Sequence, residues 1–421
     1  MAVCRWKPIF TPNSPRLNRR KLHQYLTNFR LDGTGPTTRV EHIAYKGKSY
    51  PVFINEFWTS KQRQANPLHE VSYRACFKPQ LPRFFIELFT QQGDTVYDPF
   101  NGRGTTIVEA ALLSRNVVAN DVNPLSLILS RPRVSPPTLQ QVKGRLEKIK
   151  FTKGVKADIN LRMFYHKVTL AEIVSLRNYL KGRGKKEDNV DRWIRMVATN
   201  RLTGHSKGFF SVYTLPPNQA LTAERQKKIN KQRGQKPEYR DVKKLIERKS
   251  KQLLKGIDEA TRKQLGKQKC QPVNTDAAST KKIKAGSVQL TVTSPPFLDI
   301  VQYAADNWLR CWFNNIDVKK VEKKITMSRT VEEWTAKMQQ VFNELYRITK
   351  PGGAVAFEVG EVRNGTVKLE EQVLAMGLQA GFSCDAVLIN SQNFTKTSNI
   401  WGVNNNRSGT NTNRIVVFRK P

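Results

Sequence analysis

A strand, a glycine-bearing turn, a helix and a second strand follow one another between Thr95 and Asp121. That run limits the fold more than any other stretch. Thr95-Val96-Tyr97 reads as a short strand, and Asp98-Pro-Phe-Asn-Gly-Arg-Gly-Thr-Thr106 as the turn. Thr105 to Ser114, with Ala110, Ala111 and Leu112, has a helical composition, and Val117 to Ala119 is the second strand. Two strands separated by a helix within about 30 residues pair in parallel, because only a crossover of that length returns the chain to the same sheet end. Leu81 to Phe89 predicts a helix just before this unit. The same alternation returns after residue 285. Val288 to Thr293 predicts a strand, and 331–349 an amphipathic helix with Trp334, Met338, Val341, Phe342 and Leu345 on its apolar face. Lys350-Pro-Gly-Gly353 predicts a sharp stop before a strand at Ala354–Val359. A helix at Val373–Ala380 and strands at Ala386–Ile389 and Ile415–Phe418 follow. The expected fold class is α/β, a Rossmann-like sheet with a basic, mainly helical insertion.

The insertion is expected at 131–269, between sheet-forming segments 51–130 and 270–421. Arg131-Pro132 and Pro136-Pro137 break the α/β pattern. Leu170, Ile173, Val174, Leu176 and Leu180 then recur at helical spacing. Lys181 to Lys186 reads as a flexible basic loop, and Lys227 to Leu254 as a helical stretch with a narrow buried face. The formal net charge is +38, and it is uneven: residues 141–270 hold 34 Lys and Arg against 12 Asp and Glu. Residues 1–50 hold 10 against 2 and, being polar and Pro-punctuated, predict an N-terminal arm with little core. Clustered positive charge is the footprint of a polyanion partner. Trp193, Phe209, Phe210 and Tyr213 interleave with it, which favours nucleic acid over a merely solvated tract. The best loop for contacting a base or backbone is Arg201 to Ser206 with Lys207, Phe209, Phe210 and Tyr213. Within it His205 reads as structural. The five cysteines are scattered without a CxxC pair, so neither a zinc site nor a disulfide framework is expected. No run approaches the ~18–20 apolar residues of a membrane span. The opening MAVCRWKPIFTPNSPR lacks a signal-peptide core, so a cytoplasmic, nucleoid-associated protein with no membrane partner is expected.

Two turns carry the chemistry. In the first, Gly102 and Gly104 permit a tight turn and close approach of a ligand, and the following helix N-terminus offers free N–H groups. Asp98, at the strand end, can accept from a ligand ammonium. Asp121, in Asn120-Asp-Val-Asn-Pro124, is placed to accept two ribose hydroxyls. The GxG lacks a GxxG continuation, and an acid at its head would repel a pyrophosphate. A zwitterionic, ribose-bearing ligand fits better, and S-adenosylmethionine is one. The second turn, Ser294-Pro295-Pro296-Phe297, directly follows the strand at Val288–Thr293. It offers a hydroxyl, a carbonyl and a flat apolar face, a set that suits a planar exocyclic amine.

Together, DPFNGRGTT and TSPPF resemble the amino-group DNA methyltransferases that use S-adenosylmethionine, especially those acting on cytosine N4. The resemblance covers residues 70–130 and 270–421. It implies a methyltransferase sheet in which Asp98, Phe100, Gly102, Gly104 and Thr105 cradle the methionine part. Cys76 to Leu81, with Phe77 and Pro79, resembles the segment that closes over the methionine end. Asp121 resembles the ribose-binding acid, and Asp276 the acid that contacts the adenine amine. Ser294, Pro295, Pro296 and Phe297 would hold the target amine, with Phe297 stacking on a base flipped out of duplex DNA. The implied partners are double-stranded DNA and a cognate restriction endonuclease. Asp299, Tyr303 and Asp306 are candidates for the pocket mouth, and Asn404–Arg414 for a DNA-facing hairpin or a plain turn. Arg103 departs from the pattern, since a small residue is usual between the two glycines. The basic insertion departs too, since it lies before Asp276, so its role in target recognition rests on charge and position. Adenine N6, an RNA amine and a non-enzymatic nucleic-acid binder are the competing readings.

Overall fold

Nine strands form one mixed sheet: β1 (Arg39–Tyr45), β2 (Lys48–Asn55), β3 (Thr95–Asp98), β4 (Asn116–Asn120), β5 (Cys270–Val273), β6 (Val288–Thr293), β7 (Thr349–Val359), β8 (Ser383–Ser391) and β9 (Thr412–Arg419). Their spatial order is β1-β2-β8-β9-β7-β6-β3-β4-β5. The computed structural model describes residues 16–59, 65–74, 76–215, 220–296, 303–325, 328, 330–360, 368–391 and 412–421.

The central strands β5, β4, β3, β6 and β7 run parallel, with Tyr97 opposite Val118 on one side and Thr291 on the other. β9 lies antiparallel between β7 and β8. From β3 the chain first winds outward to β4 and β5, then returns to build β6 and β7 on the opposite side. The order therefore reverses between β3 and β6, which opens a crevice beyond the carboxyl ends of those strands. β6 is buried along its whole length, as a central parallel strand should be.

Helices cover both faces. On one face, Gln80–Phe89 buries Leu81, Phe84, Phe85, Ile86, Leu88 and Phe89. Each such side chain contributes roughly 1.5–3 kcal/mol relative to exposure. Val331–Ile348 covers the other face with Trp334, Met338, Val341, Phe342, Leu345 and Ile348. Its start is fixed by the Thr330 hydroxyl, which accepts from the Glu333 N–H.

Several expectations change. Residues 16–50 are not an arm with little core. A helix at Arg19–Thr27 buries Leu22 and Leu26, and β1–β2 forms a hairpin that joins the sheet through β8. Lys181–Lys186 is not a free loop, because the helix Lys167–Arg183 runs into it and a 3-10 turn completes it. The Lys227–Leu254 stretch is two helices, Ala223–Gln232 and Val242–Leu253, parted at Gly234, whose φ is +56°. Lys350–Gly353 lies within β7 and does not stop before it.

The insertion joins β4 to β5, and its described regular elements are helices, from Pro124–Val134 to Glu259–Lys267. Reciprocal side-chain caps, Thr138 with Gln141 and Asp188 with Asp191, start two of its helices. It packs as one hydrophobic cluster with the sheet face that carries Leu290 and Val292. Trp193 and Phe210 are fully buried within it, and the Trp193 indole N–H donates to Ser250 Oγ at 2.9 Å. Phe209 is buried too and lies beneath the Arg201 guanidinium, 4.0 Å from ring centroid to Cζ. These aromatics are core and are not available for stacking on bases. His205, Ser206 and Lys207 alone of that loop are exposed, and Arg240 and Arg248 donate to the carbonyls of Ser206 and Lys207.

Candidate active site

The crevice between β3 and β6 holds a cleft that is partly open to solvent. Its walls bring together segments far apart in sequence: Tyr73, Cys76 and Phe77; Asp98 to Gly102 and Thr105; Asp121 to Asn123; Asp276 and Ala277; Ser294 and Pro296; and Met338 and Val341 from the helix Val331–Ile348.

Asp98 ends β3 and is 1% exposed. Its Oδ1 accepts from the Thr293 hydroxyl at 2.7 Å and from the Phe100 N–H at 3.1 Å. Both donors are neutral. Burial raises the acid to about 7. A carboxylate held this way is a receptor for a cation supplied from the cleft.

Asp121 follows β4 and fastens the glycine turn. Its Oδ2 accepts from the Gly102 N–H at 2.9 Å, and its Oδ1 from the Asn123 N–H at 2.9 Å. Burial raises it to about 6. The Ser126 hydroxyl also bears on this carboxylate, which keeps acceptor capacity for a ligand hydroxyl. Gly102 has φ +49°, and a methyl group there would stand 3.8 Å from Cys76 Sγ, so the turn is open to close approach. Gly104 has φ +83° and caps the helix Thr105–Leu112; a Cβ would lie 2.4 Å from the Ser130 Cβ. Glycine is required here by packing as well as by backbone conformation.

Arg103 occupies its unusual place by turning away from the cleft. It is buried, and its guanidinium donates to the carbonyl of Val71 at 3.1 Å and to Thr105 Oγ1 at 3.1 Å. A longer contact, 3.5 Å, reaches the Phe77 carbonyl. The arginine thus braces the 69–77 segment, with Phe77, against the glycine turn. Pro79 caps the helix Gln80–Phe89 and, unlike Phe77, does not line the cleft.

Asp276 reaches the cleft, half-exposed, with its Oδ2 accepting from Lys337 Nζ at 2.6 Å. Ser294 directly follows β6 and lines the same cleft as Asp98. Pro296 is held from the opposite face: Trp334 Nε1 donates to its carbonyl at 3.1 Å. Phe297 and Asp299 lie outside the described residues, as do 404–411. Asp306 pairs with Arg74 at 2.8 Å, and Tyr303 opens the short helix Tyr303–Asp306. Asn413 and Arg414 belong to β9.

Sequence reasoning missed Thr293, Trp334, Lys337, Met338 and Glu358. Only Thr293 adjoins a motif; the rest come from β7 and the helix before it.

Residues 7–126 match the family model N6_N4_Mtase, described as DNA methylase. The type II methyltransferase M.MjaI of Methanocaldococcus jannaschii is 43% identical over 81 residues, 19% of this chain and 26% of the relative. M.MvaI of Kocuria varians is 40% identical over 67 residues, 15% of each chain. The chain thus spans about a quarter or less of the length of these relatives. A SAM-dependent methyltransferase structure from Methanosarcina mazei covers 80% of this chain at 10% identity, with a TM-score of 0.33. TTHA0409 of Thermus thermophilus, solved with S-adenosyl-L-methionine, covers 35% of this chain and 54% of its own at 21% identity, with a TM-score of 0.22. The sequence matches support the amino-group DNA methyltransferase family. The structural likenesses are too low to add weight.

Proposed function

We propose that this protein is a site-specific DNA methyltransferase that acts on the N4 amine of cytosine in duplex DNA. The observation that carries the reading is the meeting of two turns in one cleft: buried Asp98 at the end of β3, and Ser294 at the end of β6. The residues present fit S-adenosylmethionine. Asp98 offers a buried carboxylate for the ammonium, and Asp121 has acceptor capacity for the ribose hydroxyls. Phe77, Val122, Ala277, Met338 and Val341 supply apolar wall for a flat ring, with Asp276 at its edge. Bound there, the cofactor supplies an electrophilic sulfonium methyl group.

The residues of the chain do the rest by holding and excluding. The lone pair of an exocyclic amine is delocalised into its ring. Ser294 Oγ and the Pro295 carbonyl accept its two N–H groups and favour a pyramidal nitrogen. Positioning at contact distance supplies much of the rate. Trp334 fixes the turn by its bond to Pro296, and Phe297 stacks on the flipped base. Transfer to cytosine C5 would need a thiolate. Cys76 lines the cleft, but burial pushes its thiol up, against that role.

The basic insertion serves as the DNA-contacting part, and duplex DNA is the partner; a cognate endonuclease belongs to the same reading. Among the described residues no helix is long and apolar enough to cross a membrane. Ser in the first position of the amine-holding turn favours cytosine over adenine. The test is incubation with labelled S-adenosylmethionine and duplex DNA or tRNA, followed by mass spectrometry of the digest. N4-methylcytosine supports the reading. N6-methyladenine replaces its base assignment, and label on tRNA alone overturns it.

A further inference from the structure

Glu358 is a buried acid that no motif announces. It is the penultimate residue of β7, and Thr293 pairs with Phe357 in the β6–β7 register. The next step along both strands sets Glu358 beside Ser294. It is 5% exposed. Its carboxylate faces the Ser294 hydroxyl, which helps to hold its charge, and Asn413 Nδ2 of β9 donates to its Oε1 at 3.0 Å. Both donors are neutral, and burial pushes the pKa of the group above the usual carboxylate range.

A glutamine would accept the same two bonds without the cost of burying a charge. The carboxylate does something an amide cannot: it takes a proton. It also commits the single Ser294 proton, so the Ser294 lone pairs are left to face the cleft as acceptors.

We propose that Glu358 orients Ser294 as the acceptor of the target amine and receives, through Ser294, the proton that amine methylation releases. This rests on the methyl-transfer reading above. As the amine nitrogen bonds the methyl carbon, the sulfur–methyl bond breaks with its electron pair left on sulfur. The nitrogen then carries the positive charge. One of its protons passes to Ser294 Oγ while the original Ser294 proton passes to Glu358. The products are a neutral methylamine, an intact serine hydroxyl and a neutral Glu358, which later returns its proton to water. Glu358 is a positioning and relay residue. Of the two residues, Ser294 is the one that touches the base.

The test is single-turnover methyl transfer by the full-length protein, with cofactor and DNA affinities measured alongside. Glu358→Gln is expected to slow transfer about 100-fold, the lower end of the range for general acid–base contributions, with both affinities within about twofold of wild type. Combined with Ser294→Ala, it should add little to the loss from Ser294→Ala alone, because the two act as a unit. A wild-type rate, a loss explained by weaker ligand binding, or additive losses overturn the relay. Should the amide variant not fold, Glu358→Asp withdraws the acid by one methylene. A loss of about tenfold or more with affinities kept then supports the relay, and an unchanged rate overturns it. Wild-type protein that methylates no amine in DNA sinks the functional reading itself, a result distinct from an active wild type with an indifferent Glu358.

Discussion

The Thr293 hydroxyl donates to Asp98 Oδ1 at 2.7 Å and ties the last residue of β6 to the last residue of β3. That bond spans the point where the strand order reverses. It brings the glycine turn and the Ser-Pro-Pro turn to one edge of the sheet, although 195 residues separate the bonded pair in sequence.

Asp98 sits near 7 because burial disfavours its charged form. In the unfolded chain the same acid titrates near 3.8. The fold is therefore penalised as pH rises from about 4 to about 7, by an amount on the order of 4 kcal/mol. Asp98→Asn should raise the melting temperature at pH 8, and the gain should vanish at pH 4, where the wild-type acid is neutral. The same variant should lose at least tenfold in affinity for S-adenosylmethionine. In the wild type, cofactor affinity should fall as pH drops below about 7, by up to tenfold per unit. Thermal melts at the two pH values and calorimetric titrations check both outcomes.

Phe84 links three parts of the molecule. Its ring contacts Tyr25 and Phe29 of the N-terminal segment, Phe57 and Trp58 after β2, and Phe85 on its own helix. Phe84→Ala should destabilise the fold by about 3–5 kcal/mol. The loss should appear in urea unfolding as a lower midpoint. An unchanged midpoint would mean that residues 16–59 do not dock as described.

The parts legible in sequence were those whose signal is local. The glycine turn, the helix after it, β4 and β6 each declare themselves within ten residues. The β1–β2 hairpin did not. Its turn residues Lys46 and Gly47 both have positive φ, but Lys-Gly lacks the Asn-Gly signature. The exposed Arg39, Glu41 and His42 of β1 read as arm. Edge strand β5 is only four residues long and contains Pro272, so it gave no pattern. In the insertion, basic and aromatic residues alternate because helices present opposite faces to solvent and core; Trp193 marks the core face of the helix Asn189–Arg201. Glu358, Trp334 and Lys337 were illegible because their partners are set by strand register and helix packing.

Arg103 gives a third expectation. Its buried guanidinium holds the Val71 carbonyl against the glycine turn. Arg103→Lys keeps the charge but not the fork of donors. It should loosen residues 69–77, seen as faster amide hydrogen exchange there, and weaken cofactor binding several-fold. Unaltered exchange would show that the segment holds itself.

The charge of the insertion sets a fourth. A protein that neutralises 6–10 phosphates loses about 10³–10⁵ in DNA affinity between 50 and 200 mM salt. With 34 Lys and Arg against 12 acids in residues 141–270, a steep slope is expected here. Fluorescence anisotropy with labelled duplex across that range measures it. A flat response would remove DNA backbone contact from the role of the insertion.

Trp334 tests the proposed role of the Ser-Pro-Pro turn. Its indole N–H donates to the Pro296 carbonyl, while its ring is buried in the helix face beneath. Trp334→Phe keeps an aromatic ring and deletes the donor. The Pro296 carbonyl then loses its anchor, and a displacement approaching 1 Å at such a site can cost as much as 100-fold in rate. Methyl transfer should slow by about tenfold or more, with the dissociation constant of S-adenosylmethionine unchanged, since Trp334 does not line the cofactor walls. Parallel loss of cofactor binding would instead assign Trp334 to general packing of the helix Val331–Ile348 through its neighbours Met338 and Val341, which do line the cleft.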